Sequence, residues 1–347
     1  MIKRPSFEIA GESIEAGSRK TINLPVSTLS DHTPVTLSAH IIHGRRDGPV
    51  MFVSAGIHGD EVIGVEIVRR LLRAKNMKSL RGTLIVVPIV NTFGFLNHSR
   101  YLPDRRDLNR CFPGSPNGSL ASRLAYIFMN EIVARCSLGI DLHSAAIHRT
   151  NLPQVRVSAN NKKTLKLAHV FGAPVILTSA LREGSLRQEA KKAGVNVLLY
   201  EAGEGMRFDE MSVRAGVAGI LRVLNEINML PSAGIAKPKA ASLICTNSNW
   251  LRAPRGGLLR IFKAEGDVVK EGDIVAAISD PFGAEEIEVA TRYSGIIVGR
   301  AVMPVVHEGD ALFHIAAVKS NDAAEAAIDD LTTQLEEAPL FDEDEII

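Results

Sequence analysis

The sequence has few cysteines, almost no net charge and no long apolar run, and each absence excludes a class of protein. Three cysteines in 347 residues, without a C-x-x-C spacing, do not form a disulfide framework and favour a reducing compartment. A formal net charge of +1 provides no overall field that would recruit nucleic acid or an anionic membrane. No apolar run approaches the ~20 residues that cross a bilayer, and the first residues lack the apolar segment of a signal peptide. We therefore expect a cytoplasmic protein that binds neither nucleic acid nor membrane.

Several catalytic motifs are also missing. The sequence contains no G-x-S-x-G elbow, no G-x-x-x-x-G-K-[ST] loop and no H-E-x-x-H helix. These patterns mark α/β-hydrolase serine nucleophiles, phosphate-binding loops and one large group of zinc proteases. The chemistry therefore has to come from another set of residues.

Apolar strand candidates alternate with amphipathic helix candidates over the first two thirds of the chain. Residues 50–55, 83–90, 138–142 and 195–200 read as buried strands, with helical patterns between them. This alternation predicts an α/β fold with a mostly parallel sheet flanked by helices. We predict a catalytic domain over residues 1–235.

The rest of the chain has a different residue pattern. The segment PSAGIAKP at residues 231–238 lacks periodicity, and short β segments separated by turns follow it. Two similar pieces, AEGDVVKEGDIVAAI and HEGDALFHIA, each place Gly-Asp at a turn before an alternating strand. We predict a smaller all-β barrel or sandwich domain over residues 236–320.

Residues 321–347 form an acidic tail with ten carboxylates and no Lys or Arg. We interpret it as a solvated segment, with a docked tail or an oligomer contact as the alternative. Four apolar residues lie at helical spacing behind a potential cap at Asn321: Ala324, Ile328, Leu331 and Leu335.

His58 and Glu61 are spaced H-x-x-E where an apolar strand ends and a helix begins. Imidazole and carboxylate are both zinc ligands, and this spacing can aim both at one point. The spacing alone is common by chance, and Glu61 could simply favour the helix N-terminus. His143, at the end of a second strand, completes a three-ligand set with one open position. Asp141 lies on the same side of that strand and is a candidate hydrogen-bond partner for a ligand imidazole.

A third strand, VNVLLYEAGE, ends at Glu201. A carboxylate at the end of a buried strand beside a metal suits a general base. Glu204 competes for this role, although its place in the turn favours solvation.

The segment SRYLPDRRDLNRCFPG is polar and cationic. Arg110, beside Asn109, could hold a carboxylate in a bidentate fork, and Arg100 or Arg105 could stabilise an oxyanion. Each of these arginines could equally be a solvated surface side chain.

Four motifs taken in order, GIHGDE, DLNRCFPG, DLHS and YEAGE, resemble the succinylglutamate desuccinylase/aspartoacylase family, whose members are related to zinc carboxypeptidases. The resemblance spans roughly residues 7–318. It implies one zinc ion per chain held by His58, Glu61 and His143, with Glu201 as the base.

The resemblance also implies roles for residues in the segment SRYLPDRRDLNRCFPG, residues 99–114, which we call the polar loop. Arg100 matches the arginine that polarises the carbonyl. The stretch from it to Asp107 looks two residues longer than in aspartoacylase, so Arg105 is an alternative for the same role. Asn109 and Arg110 would contact a substrate carboxylate. Arg187, in GSLR, is a further candidate for substrate binding.

The C-terminal part has a resemblance of its own. GDVVKEGDIVAAISD and SGIIVGR resemble lipoyl and biotinyl carrier domains, which present a lysine on a tight turn. The corresponding stretch here, EVATRYSG, has no lysine. We therefore expect a structural or lid role without a covalently attached group.

Together these features predict a zinc-dependent deacylase that cleaves the amide bond of a small N-acyl amino acid or N-acylated amine. The acyl group stays open among succinyl, acetyl and longer groups, and a homo-oligomer is compatible with the sequence. One alternative is a metallocarboxypeptidase acting on peptides. The other is a catalytically silent protein that binds zinc or a ligand.

Overall fold

A computed structural model describes residues 4–238, 240–320, 323–329 and 333. The strands, in chain order, are β1 (Phe7–Ile9), β2 (Glu12–Ile14), β3 (Ser18–Thr28), β4 (Pro34–His43), β5 (Arg46–Ala55), β6 (Arg81–Val87), β7 (Leu138–His143), β8 (Arg149–Val157), β9 (Val175–Thr178), β10 (Asn196–Glu204), β11 (Leu243–Cys245), β12 (Ser248–Arg252), β13 (Gly257–Ile261), β14 (Val268–Val269), β15 (Ile274–Ser279), β16 (Glu286–Ala290), β17 (Gly295–Ala301), β18 (Val305–Val306) and β19 (Ala311–Ala316). The α-helices are α1 (Ile63–Arg73), α2 (Thr92–Leu96), α3 (Leu120–Ile127), α4 (Lys162–Phe171), α5 (Leu186–Lys192) and α6 (Glu210–Glu226).

One large sheet runs through the molecule in the order β12-β19-β17-β8-β10-β7-β5-β6-β4-β3. Its centre is parallel, because β10, β7, β5 and β6 run parallel to one another. The flanking strands β8 and β4 pair antiparallel to this centre. The predicted α/β class is confirmed, and the sheet as a whole is mixed, with parallel pairing in the strands that carry the candidate site.

Helices cover both faces of the sheet. On α1 the buried residues Ile63, Ile67 and Leu71 recur every four positions, so one apolar stripe faces the strands. This stripe packs in one core with α4 and α6, and α3 and α5 contribute to a second core on the opposite face. None of the helices in the described part of the chain has the length and hydropathy needed to span a bilayer.

The C-terminal part of the chain is built from β strands. Strands β12, β17 and β19 extend the large sheet, and β16, β15, β13 and β18 form a separate four-stranded sheet. The repeated Gly-Asp turns have a common geometry, because Asp267 and Asp310 each accept a hydrogen bond from the backbone N–H three residues earlier, at 2.9 and 2.8 Å. Gly266 and Gly309 precede them with positive φ angles of 100° and 83°, which favour glycine. The boundary at residue 235 stays a prediction.

Part of the predicted acidic tail is described. Residues 323–329 are helical, and Ala324 is fully buried in a cluster that includes Leu152 and Ile296. This part is therefore docked, which differs from the solvated interpretation, because its small apolar face finds a partner on the β strands. Asn321, Leu331 and Leu335 lie outside the described residues.

Candidate active site

The candidate site lies at the carboxyl ends of three neighbouring parallel strands. His58 follows β5, His143 ends β7, and Glu201 lies in β10 directly opposite His143 in the strand register. In α/β sheets, ligands bind beyond this edge of the strands. The topology therefore brings together three side chains that are separated by up to 143 residues in the sequence.

Glu61 lies between the two histidines. Its Oε1 is 2.7 Å from His58 Nδ1 and its Oε2 is 2.7 Å from His143 Nδ1. One donor atom from each of the three residues lies within 4.8 Å of the others, and all three side chains are buried. Two imidazole nitrogens and one carboxylate oxygen that converge in this way form a donor set that fits zinc and leaves a position open.

The far nitrogen of each imidazole also contacts a carboxylate. His143 Nε2 lies 2.7 Å from Asp141 Oδ2, and His58 Nε2 lies 3.1 Å from Asp107 Oδ1. The Ser54 hydroxyl donates a 2.8 Å hydrogen bond to the other oxygen of Asp141. A carboxylate that accepts from Nε2 fixes the ring and keeps Nδ1 available for a metal. The sequence reasoning selected Asp141 but missed Asp107, whose only signal was its place in the DLNR motif.

Charges in this group reinforce one another. Burial opposes the protonated form of His143, but the carboxylates of Asp141 and Glu61 outweigh it and raise its pKa well above the usual value. Burial likewise disfavours the charged form of Glu61, yet the neighbouring His58 and His143 hold its pKa well below the ordinary range. The pocket thus favours a carboxylate surrounded by positive charge, a balance that a divalent cation would also supply.

The two candidate oxyanion arginines occupy different places. Arg100 lines the pocket, with Nη1 3.3 Å from Glu61 Oε1 and Nη2 3.0 Å from Asp107 Oδ2. Arg105 is exposed in a turn with a positive φ of 62° and is not among the residues that line the pocket. Of the two side chains, Arg100 is the one placed to reach a molecule beside Glu61.

Glu201 and Glu204 also differ in their surroundings. Glu201 lines the pocket, where its Oε2 accepts a 2.9 Å hydrogen bond from Asn151 and its Oε1 lies 3.6 Å from Arg156 Nη1. Glu204 pairs with Arg207 and accepts from the backbone N–H of residue 148. Glu204 is thus engaged in holding a loop, rather than solvated as its place in the turn suggested.

Asn109 and Arg110 line the pocket from the loop before α3. Asn109 Oδ1 accepts a 2.9 Å hydrogen bond from the backbone N–H of Leu186, at the start of α5. This contact orients the amide and leaves its NH2 group for other partners. Arg110 is exposed, and one of its guanidinium nitrogens donates to the backbone carbonyl of Asn109.

Arg187, on α5, is the most deeply placed of these arginines. Burial, together with the charge of nearby Arg156, lowers its pKa to about 10. Its Nη1 is buried and has no hydrogen-bond partner among the described residues, and the same holds for Nε of Arg156. Buried guanidinium N–H groups without acceptors are costly, and an anion at this wall of the pocket would supply acceptors for them.

Another part of the pocket lining comes from a distant part of the sequence. Trp250 on β12 lines the pocket, stacked on His314 with ring centroids 4.6 Å apart, and the Arg149 guanidinium lies 5.4 Å from its ring centroid. The cavity measures about 270 Å³. Sequence reasoning missed Asn151, Arg156 and Trp250, since none lies in a recognisable motif.

Comparison with known proteins identifies a family for this chain. A family model described as the succinylglutamate desuccinylase/aspartoacylase catalytic domain matches residues 47–227. The N-alpha-acetyl-L-2,4-diaminobutyric acid deacetylase of Halomonas elongata is 26% identical over 320 residues, which cover 86% of this chain and 90% of that protein. The succinylglutamate desuccinylase of Photorhabdus laumondii is 32% identical over 142 residues, which cover 34% of this chain and 43% of that protein.

Solved structures share the architecture. A succinylglutamate desuccinylase/aspartoacylase from Rhodobacter sphaeroides superposes with a TM-score of 0.76 at 25% identity, covering 86% of this chain and 96% of its own. The ectoine utilization protein EutE from Ruegeria pomeroyi gives a TM-score of 0.77 at 22% identity, covering 87% of this chain and 95% of its own. At that identity the second likeness concerns the fold alone.

Proposed function

Because the chain belongs to the succinylglutamate desuccinylase/aspartoacylase family, we propose that it is a zinc-dependent hydrolase that cleaves the amide bond of a small N-acylated amino acid. The observation that carries this proposal is the buried His58, Glu61 and His143 group, which lines the same pocket as Glu201. Its cavity of about 270 Å³ suits a small molecule. We expect one zinc ion per chain and a cytoplasmic protein.

His58, Glu61 and His143 would hold the metal, and Asp107 and Asp141 would orient the two imidazoles. A bound zinc ion would supply Lewis-acid polarisation of the amide carbonyl and a lowered pKa for water in the site. Cysteine thiolates are absent from this donor set, and the harder nitrogen and oxygen donors suit a hydrolytic zinc.

Glu201 is proposed as the general base. Asn151 donates a hydrogen bond to Oε2 of Glu201, and Oε1 lies beside Arg156. These contacts fix the orientation of the carboxylate. It would accept a proton from the attacking water and deliver it to the leaving nitrogen. Arg100, whose guanidinium is fixed by Glu61 and Asp107, would donate to the developing oxyanion.

Arg187, with Asn109 and Arg110, is proposed to bind a carboxylate of the substrate. The buried Nη1 of Arg187 has no acceptor among the described residues, and a planar carboxylate would supply one. The Halomonas elongata relative is named for an N-acetylated diamino acid, so the substrate set of this chain should be tested with both acidic and basic amino acids.

The decisive experiment is a screen of N-acylated amino acids and diamines with zinc-loaded protein, measuring the free amine that is released. We expect hydrolysis of at least one acylamino acid, loss of activity with a chelator and recovery with zinc. Glu201→Gln protein, purified in the same way, controls for contaminating hydrolases. Absence of any turnover would favour a silent binding protein. Faster hydrolysis of peptides than of acylamino acids would favour a metallocarboxypeptidase.

A further inference from the structure

A second cavity lies at the opposite end of the sheet from the candidate active site. It measures about 590 Å³ and is lined by the first residues of β5 and β6, the start of β3, and the segment that precedes β6. Strand β5 runs from Arg46 at this cavity to Ala55, three residues before His58. Ten residues at about 3.3 Å each place the two cavities roughly 30 Å apart. The proposed hydrolase does not use this second cavity.

The lining is strongly cationic. Five basic side chains contribute to it and no carboxylate does: Arg19, Arg45, Arg46, Lys78 and Arg81. We call this site the basic cavity. Asp47 is adjacent in the sequence, but its carboxylate lies 3.6 Å from Arg4 and is not part of the lining.

Four of these five cations form no ion pair with another described residue. Arg46 and Arg81 are direct partners in the register of β5 and β6, so two cations stand side by side on neighbouring strands. Like charges in that position are destabilising. In the part of the chain that the structure describes, no ion pair involves Arg45, Arg46, Lys78 or Arg81.

The backbone that carries the lining is held in place, whereas the side chains of Arg19, Arg45, Arg46 and Lys78 are exposed. Gly17 has a φ of 84°, and a Cβ at this position would lie 2.6 Å from Cγ of Arg45. The aliphatic part of the Arg45 side chain therefore packs directly against the backbone of Gly17. Arg4 donates to the carbonyls of Gly44 and Gly82, which fixes the strand ends behind the lining. The backbone N–H of Arg81 bonds to the carbonyl of Met229 at 2.9 Å. Arg46 and Arg81 therefore lie on a fixed backbone at strand ends, which loses less entropy on binding than a free loop.

We propose that the basic cavity binds a small polyanion that carries a chain of phosphate groups. Guanidinium forks match phosphate oxygens in geometry and charge, and four of the five cations are arginines. The volume lies within the range of small-molecule sites. The near-zero net charge of the whole chain opposes an extended nucleic-acid surface and favours one local anion site.

Isothermal titration calorimetry with inorganic triphosphate at about 0.1 M salt tests this site. We expect wild-type protein to bind with a dissociation constant below about 1 mM. The double variant Arg46→Gln, Arg81→Gln should bind roughly tenfold more weakly for each guanidinium removed. The control Lys162→Gln, Lys163→Gln removes the same total charge from exposed positions on α4 and should bind like wild type.

Thermal unfolding supplies a second readout that does not depend on activity. Without ligand, the Arg46→Gln, Arg81→Gln protein should melt at the same temperature as wild type or higher, because a like-charge contact is removed. Triphosphate should raise the melting temperature of wild type and of the control, but not of this variant.

Three results would overturn the proposal. The first is no binding of triphosphate at millimolar concentration, and the second is equal affinity in wild type and the Arg46→Gln, Arg81→Gln variant. That second result would place triphosphate elsewhere, for example on the arginines of the candidate active site. The third is a single-stranded oligonucleotide that binds more tightly than triphosphate with an affinity that rises with length, because this would indicate a nucleic-acid surface.

Discussion

Replacing Arg187 by Met tests the proposed carboxylate contact directly. Met keeps much of the side-chain volume and removes the guanidinium, whose Nη1 is buried without an acceptor among the described residues. A hydrogen bond from a charged group contributes about 1.5–3 kcal/mol, which corresponds to roughly 10- to 150-fold in kcat/KM. Exposed Arg110 should contribute less, about 1 kcal/mol or below, because solvent screens its charge.

The assay compares one hydrolysed acylamino acid with the same compound bearing a neutral amide in place of its carboxylate. Wild-type protein should prefer the free acid by roughly 10- to 150-fold in kcat/KM. Arg187→Met should lose most of this preference by slowing hydrolysis of the free acid while changing the amide little. Arg110→Met, in the same cycle, should keep most of the preference.

A particular pattern would refute this reasoning. If Arg187→Met slows the free acid and the amide by the same factor, the residue supports the pocket and does not read the carboxylate. If Arg110→Met removes the preference and Arg187→Met does not, the exposed Arg110 binds the carboxylate. Burial would then not identify the arginine that recognises the substrate. Zinc content measured in each variant separates either result from loss of the metal.

Four further predictions concern the metal, the base and acid stability. His143→Ala should lose zinc in metal analysis of the purified protein while its circular dichroism stays close to wild type; retention of stoichiometric zinc would contradict the ligand assignment. Asp107→Asn should keep the three ligands but weaken zinc binding by about 10–100-fold in a chelator competition, since it holds Nε2 of His58; unchanged affinity would show that this contact does not orient the ring. Glu201→Gln should keep zinc and lose about 10²–10⁴-fold in kcat, as expected when a general base is removed, and near-wild-type turnover would move the role elsewhere. Burial, with the charge of Arg156, lowers the pKa of His314 to about 4 from 6.5, so the unfolded chain takes up this proton first and stability falls between pH 6.5 and 4. This part of the loss amounts to about 3 kcal/mol; urea unfolding followed by Trp250 fluorescence should show a shallower pH dependence in His314→Gln, and an identical one would contradict the assignment.

Much of the site could be read from the sequence, because its residues stand at the ends of strands. His58, His143 and Glu201 each follow an apolar run, and the carboxyl ends of parallel strands meet at one edge whatever the rest of the chain does. Glu61 is tied to His58 by a three-residue spacing and the start of a helix. These are local signals, and the parallel direction of the strands is enough to bring the residues together. The same alternation of strands and helices predicted the α/β class.

What the sequence did not determine depends on contacts between distant segments. The spacing of the polar loop left Arg100 and Arg105 open, and it is the turn before α3 that points one inward and leaves the other exposed. Asp107 becomes a partner of His58 across 49 residues, and Trp250 on β12 reaches the pocket because β17, β19 and β12 extend the sheet beyond β8. The antiparallel flank β8 was likewise not separable from the parallel centre by hydrophobic pattern, because β8 is buried on both faces along most of its length, as β7 is. Burial of a guanidinium nitrogen that has no acceptor among the described residues, as at Nη1 of Arg187, is a property of packing around a side chain, and no local pattern of residues encodes it.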